Sequence, residues 1–216
     1  MIPGDPIFKS VFGKDWDSLP PVMKKHYAVR RNSDDMVKVE GKLDIKISFP
    51  VSLMARLTGM LLPYSGKNIP VTVVFRSDRS SPEKISKKIS GKSAAFYFNR
   101  TFHFPDRGDI SFRSHMEQIE GNVMVEFMRF GIGWKLAIEW DGEKVILKHR
   151  GYVWRVLGRL IPLPLTFLMG AGYAEETPLS EDSFAMWTHV EHTLFGPTFG
   201  YAGDFKVTEI SCPDLS

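Results

Sequence analysis

Cysteine is nearly absent: Cys212 is the sole example in 216 residues. One thiol leaves no internal disulfide, no Cys-based zinc site and no CxxC redox motif. A reducing compartment is the natural home for such a chain. The start, Met-Ile-Pro-Gly-Asp, also lacks the basic and apolar regions of a secretory leader, so a cytoplasmic location is the expectation. Charge of one sign is lacking too. The 28 basic and 25 acidic residues leave a net charge of +3. The basic residues are scattered rather than gathered in a stripe, so no nucleic-acid partner is expected. There is no long apolar run. The most hydrophobic stretch, from Leu160 to Ala174, is short for a membrane span and is interrupted by Pro162 and Pro164. It reads as a buried connection, or as a contact surface for a membrane or partner. No GxGxxG after a strand, phosphate-binding loop, HExxH or GxSxG is present. Motifs therefore assign no nucleotide-binding or common hydrolase class.

What is present is aromatic and strand-like. Hydrophobic residues make up 43% of the chain and aromatic residues 12%, with 16 Phe and 5 Trp. That composition favours a sheet-built core over a helical bundle. A short helix is expected from Pro20 to Tyr27, with a proline in its first turn. From Val37 the period changes to two: Val37, Val39, Gly41, Leu43, Ile45 and Ile47 alternate with Lys38, Glu40, Lys42, Asp44 and Lys46. One dry face and one wet face belong to antiparallel sheet rather than to doubly buried parallel strands. Ser52 can cap a second helix that runs to Leu61, before Pro63.

Strand patterns then follow one another over 71–77, 83–89, 93–104, 109–120, 123–130, 133–140 and 143–150. Asp141-Gly142 is a two-residue hairpin signal. The block from Val153 to Leu168 reads as a short helix and an irregular crossing. Strands resume over 170–176, 183–194 and 201–210. No repeat or linker is visible, so residues 1–216 are expected to form a single domain. The expected class is mainly β (α+β): a large curved antiparallel sheet or barrel-like meander with two or three short helices. A sheet of that many strands tends to curl, and a curled one can enclose an apolar cavity.

Candidate site residues follow from face sharing. Phe96, Phe98, Phe102 and Phe104 lie on one strand face with Arg100. An arginine among phenylalanines needs a partner if buried. It anchors the anionic head of an amphipathic ligand, or snorkels from a sheet edge, or pairs with a protein acid such as Glu126 or Glu139. Trp187, His189 and Glu191 share a second face, where a carboxylate beside an imidazole can make a general base; the same residues can equally be surface groups flanking Trp187. His103 and His115 lie on neighbouring strands, but two histidines make an incomplete metal site, so no metal and no cofactor is expected.

The order of several segments resembles an uncharacterised bacterial family, the domain of unknown function 4166. They are Phe12-Gly13 with Leu19-Pro20-Pro21, Leu53 to Leu62 with Val71-Thr72-Val73, and Asn99-Arg100-Thr101-Phe102. Leu157-Gly158 with Ile161-Pro162, and Leu194-Phe195-Gly196 ahead of Tyr201-Ala202-Gly203, complete the set. Together they span nearly the whole chain, from Ile7 to Glu209. The resemblance implies a stand-alone protein or the partner of a saccharopine-dehydrogenase-like oxidoreductase, and it transfers no catalytic residue. Three functions are consistent with the sequence. One is binding of a hydrophobic or amphipathic small molecule. Another is isomerisation or cyclisation of an apolar substrate in the same cavity. The third is docking on an oxidoreductase through the block from Val153 to Met169.

Overall fold

A computed structural model describes residues 4–59, 62–77 and 95–212. The chain begins with helix α1 (Lys9–Phe12), a 3-10 turn (Gly13–Ser18) and helix α2 (Pro21–His26). Strand β1 (Met36–Ile47), helix α3 (Phe49–Thr58) and strands β2 (Gly66–Ser77), β3 (Ala95–Phe104) and β4 (Gly108–Glu120) follow. Next come β5 (Val123–Phe127), β6 (Ile132–Trp140), β7 (Val145–Val156), β8 (Arg159–Leu163) and helix α4 (Thr166–Met169). Strands β9 (Ala171–Pro178), β10 (Ser183–His192) and β11 (Gly196–Ser211) end the fold.

The strands are antiparallel in the order β6-β5-β4-β3-β2-β1-β11-β10-β9-β7-β8, and β6 also pairs with β7. That extra pairing closes a ten-stranded barrel and leaves β8 outside the ring. Closure removes the unpaired edges that an open sheet of this length would expose. The alternation of β1 behaves as its sequence predicts: Val37, Val39, Leu43 and Ile45 are buried in the core. The break in that alternation, Gly41, is also explained. A Cβ there would lie 2.2 Å from the Asp204 carbonyl oxygen, and one on Gly203 would lie 1.9 Å from that of Lys42. Only glycine lets β1 and β11 approach so closely.

The two ends of the barrel are closed differently. Residues 6–29 plug the end where β1, β9 and β10 begin and finish around Phe184. Ile7, Phe8, Val22, Met23 and Val29 there are wholly buried. Phe8 packs on Phe96 and Tyr27, with ring centroids 4.8 and 4.4 Å apart. Helix α3 crosses the opposite mouth. Ser48 N–H donates to the Thr198 carbonyl at 2.8 Å, and Gly59 abuts the Arg129 guanidinium in the β5–β6 turn. The helix begins earlier than a Ser52 cap predicts: Ser48 holds the cap position, Pro50 takes the first turn, and Gly59 ends the helix in a left-handed conformation with φ 62°.

One other expectation differs in part from the structure. The short helix expected in the block 153–168 is present as α4 at its end, but the irregular crossing before it is largely strand, because β7 runs on to Val156 and turns at Leu157-Gly158 into β8. Pro162 and Pro164 are compatible with this, since β8 pairs on one side only and needs no donor on the other. The strand expected over 83–89 lies outside the described residues.

The β7–β8 hairpin folds back over the outside of the barrel. Val125, Phe127 and Val153 form a second small core there, with Leu160 against it. An ion pair latches it: Arg155 donates twice to Glu117, at 2.8 and 2.7 Å, and its guanidinium lies 3.7 Å from the centre of the Phe127 ring. Burial acts to raise the Glu117 carboxyl. Hydrogen bonds from His115 and Arg155, with their charges, outweigh it and hold the carboxyl at about 2 against an ordinary 4.5. A folded-state value below the unfolded one stabilises above about pH 4.5 and is lost as pH falls toward 2. Allowing for solvent screening, the latch is worth about 2 kcal/mol near neutrality. His115 supplies part of this and stays in Arg155→Gln, so urea unfolding of that variant should show a loss of about 1 kcal/mol at pH 7 that shrinks by pH 3. A loss equal at both pH values would remove the latch from the account.

Candidate functional site

Side chains alternate in and out along each strand, so register decides what the interior contains. On β3 the residues Phe96, Phe98 and Phe102 are buried, and Arg100 shares their inward face. Opposite Arg100 and Phe98 on β4 stand Phe112 and Ser114. Beyond them on β5 is Glu126, opposite Met116. Arg100 Nη2 donates to Glu126 Oε1 at 2.9 Å and Nη1 to Ser114 Oγ at 2.8 Å. Ser114 Oγ in turn donates to the same Glu126 oxygen at 2.5 Å. The guanidinium also lies over the rings of Phe98 and Phe112, 4.7 and 5.5 Å from their centres. The arginine thus has a protein acid as its partner, one of the three arrangements its sequence context allowed.

A second polar group enters from the plug. Val22, Met23 and His26 are the buried residues of α2, and they follow a helical spacing that turns one side of it to the barrel. His26 is ringed by Tyr27, Phe75 and Phe184, with centroids 4.5 to 4.7 Å away. Its Nε2 lies 3.5 Å from Oε1 of Glu176 on β9. The other Glu176 oxygen accepts a short hydrogen bond from the Tyr27 hydroxyl. All three side chains are buried. Burial works to raise the Glu176 carboxyl, but the His26 charge, hydrogen bonds from His26 and Tyr27, and the charge of Arg100 hold it below the ordinary range. The Tyr27 phenol is pushed well up by burial and by Glu176. Burial likewise pushes Tyr201 up to about 12. Among the described residues His26 Nδ1 is buried without a hydrogen-bond partner.

The two groups face one enclosed space. His26, Arg100, Glu176 and Tyr201 line a cavity whose other walls include Leu43, Val71, Phe98, Phe102 and Met186. Its volume is about 40 Å³, enough for a few ordered waters. A pocket for a drug-sized molecule is nearer 300–1,000 Å³. The interior is smaller than a chamber for such a molecule, because phenylalanines from β2, β3, β10 and β11 meet at its centre and the plug fills one end.

The other candidate residues lie elsewhere. Phe184 and Met186 of β10 face inward, so Trp187, His189 and Glu191 are on the outer face. The Trp187 and His189 rings pack at a tilt with centroids 4.4 Å apart, and His189 Nε2 is 4.0 Å from Glu191 Oε2. The pair therefore shares a face, as its spacing predicts, but not with Arg100. Phe96 is buried under Phe8 at the plug end and does not line the cavity. His103 and His115 do not meet: His115 lies opposite Tyr97, and His103 opposite Asp109, at the two ends of the β3–β4 pair. Among the described residues no group of three His, Cys, Asp or Glu side chains is placed to hold a metal. No helix there is long and apolar enough to cross a membrane.

Several comparisons bear on the chain as a whole. Solved structures that resemble it include Rv2717c from M. tuberculosis. That likeness has 9% identity over 92% of this chain and 99% of that one, with a TM-score of 0.40. Another is the S-type phycobiliprotein lyase CPES from Guillardia theta, with 10% identity over 93% and 98% and a TM-score of 0.41. No curated protein matches the chain. A family model described as Domain of unknown function (DUF4166) matches residues 19–205.

Proposed function

The chain belongs to the family of the domain of unknown function DUF4166, and we propose that its barrel binds a small molecule with an apolar body and a polar head. The observation that carries this reading is the buried polar set around the cavity. A barrel needed only as a packed core gains little from burying Arg100, Glu126, Glu176 and His26, since apolar residues of like volume serve stability as well or better. An unpartnered His26 Nδ1 beside that cavity is a ready hydrogen-bonding site for a ligand head. The apolar body would lie toward Leu43, Phe102 and the mouth. Entry there requires α3 to lift, and only Val51 and Ala55 of its described side chains are buried. Such a lid opens at small cost.

A second reading concerns the same histidine. When His26 is neutral, Nδ1 can take a proton from one carbon of a bound molecule and return it to another, while Glu176 steadies the intervening imidazolium through Nε2. That is the chemistry of an isomerisation, and it uses residues inside the barrel rather than His189 and Glu191. One experiment addresses both readings. Protein purified from its own host is weighed by native mass spectrometry, and its organic extract is identified. A copurified small molecule is expected. Met186→Trp, which fills the cavity from β10, should lower its occupancy roughly tenfold or more. His26→Gln, which removes Nδ1, should weaken retention of the molecule severalfold under the first reading, and under the second should abolish conversion of whatever remains bound. A wild-type protein that carries nothing and takes up no dodecanoic acid or dodecanol would sink the binding reading.

A further inference from the structure

At the plugged end of the barrel most large apolar side chains are buried, with Leu179 and Ile119 partly exposed at 54% and 40%. At the mouth they are not. Phe49 and Leu57 of α3, Phe130, Leu157, Phe167 and Phe195 are between 70% and 98% exposed. They sit on five separate segments that contacts gather at one end. Ser48 bonds Thr198, and Thr198 Oγ1 donates to the Met169 carbonyl at 3.1 Å. His192 Nε2 lies 2.8 Å from the Phe167 carbonyl oxygen, and Trp154 Nε1 donates to the Phe130 carbonyl at 2.9 Å. Solitary exposed apolar residues are ordinary, but a gathered set marks a contact surface.

Two further features say what covers it. Phe130 and Leu157 stand at turn tips with φ of 60° and 48°, a left-handed backbone that bulky residues rarely adopt and that glycine or asparagine takes readily. The chain holds apolar side chains outward where the local backbone disfavours them. Charge is also one-sided. Residues 45–72, 127–138 and 144–174 contain no aspartate or glutamate. They carry Arg56, Arg129 and Arg159, none of which has an ion-pair partner among the described residues. The acids that border these segments in the chain are Asp44, Glu126, Glu139, Glu143 and Glu175. Trp154, itself 44% exposed, adds a residue type favoured at the headgroup level of membranes. Separate apolar tips among unpaired arginines suit a soft, anionic surface with an apolar interior more than a shaped protein groove.

We propose that the mouth of the barrel docks on a bilayer containing anionic lipids. The aromatic and leucine tips insert below the headgroups, and Arg56, Arg129 and Arg159 meet the lipid phosphates and acidic heads. The docking does not depend on what the barrel holds, so it can be tested on empty protein and plain vesicles. In cosedimentation, the full chain should bind vesicles of phosphatidylcholine and phosphatidylglycerol in roughly equal parts. It should bind phosphatidylcholine alone at least tenfold more weakly. Arg129→Gln with Arg159→Gln should weaken binding to the mixed vesicles by roughly tenfold or more and leave the weak binding to pure phosphatidylcholine unchanged. Phe130→Asn with Leu157→Asn relieves both left-handed positions, so the variant should fold at least as well as the parent. It should nonetheless weaken binding by roughly tenfold to a hundredfold. Failure to bind mixed vesicles overturns the proposal, as does binding that both variants retain. A protein that ignores vesicles but forms a dimer broken by Phe130→Asn with Leu157→Asn would assign the face to a second copy of the chain.

Discussion

Glu126→Ala is expected to cost about 3–5 kcal/mol of folding stability and to lower the melting temperature by roughly 6–20 °C. The size follows from what the substitution leaves behind. Arg100 and Glu126 are only 15% and 12% exposed at their side chains. The guanidinium lies between Phe98 and Phe112, with Ser114 as its other polar neighbour. Removing the carboxylate strands a cation that cannot be deprotonated and has nowhere near to go. It also strips the Ser114 hydroxyl of its acceptor. Removing both charges at once is a different experiment. Arg100→Met with Glu126→Leu takes away the cost of burying the ions along with their attraction, and should be neutral or stabilising by about 1–4 kcal/mol. Urea unfolding of the two variants therefore separates a pair kept for stability from one kept for function. Should Glu126→Ala cost less than about 1 kcal/mol, water already screens the pair, and the barrel interior is wetter than its packing implies. Should the double variant prove as damaged as the single one, the pair is structural, and the main support for a ligand head in the barrel is gone.

The same pair shows what the sequence could and could not disclose. Period-two alternation fixed which residues share a face, so Arg100 was legible among its phenylalanines, and Glu126 was one of two acids offered as its partner. Alternation is silent on which of two faces is inside. That is why Trp187, His189 and Glu191 were a credible site on paper and an outer-surface cluster in the fold: β10 alternates aromatic and small or polar residues on both faces. Glu176 and His26 carried no pattern of their own. Their meeting depends on a plug helix docking against β9 across about 150 residues of chain, a long-range contact with no local signature. The available signal was the spacing of Val22, Met23 and His26 on one side of a short helix, which marks the histidine as buried but not what it meets. Closure of the ring by the β6–β7 and β7–β9 pairings was beyond reading for the same reason. The β7–β8 hairpin was misread because Pro162 and Pro164 suggest irregular chain wherever a strand is assumed to be paired on both sides.

Phe8→Ala should be the most damaging single change in the plug, at about 3–5 kcal/mol. Phe8 is wholly buried and its ring touches those of Phe12, Tyr27 and Phe96, so truncation opens a void that three aromatic neighbours cannot fill by small shifts. The way in which it destabilises matters as much as the amount. If the two ends of the barrel are independent closures, Phe8→Ala should speed amide hydrogen exchange across residues 7–29 while leaving α3 as it was. In the parent protein α3 should already be the faster of the two, because Val51 and Ala55 anchor it where Ile7, Phe8, Val22 and Met23 anchor the plug. A plug that stays shut while the lid opens gives the barrel one entrance, and that entrance lies on the face that carries the exposed aromatic tips and the unpaired arginines. An apolar molecule leaving a bilayer would then pass from lipid to barrel without crossing water. Exchange that speeds equally at both ends in Phe8→Ala would mean one cooperative unit instead, with no dedicated entrance, and the link between the docking face and the cavity would fail even if each were confirmed alone.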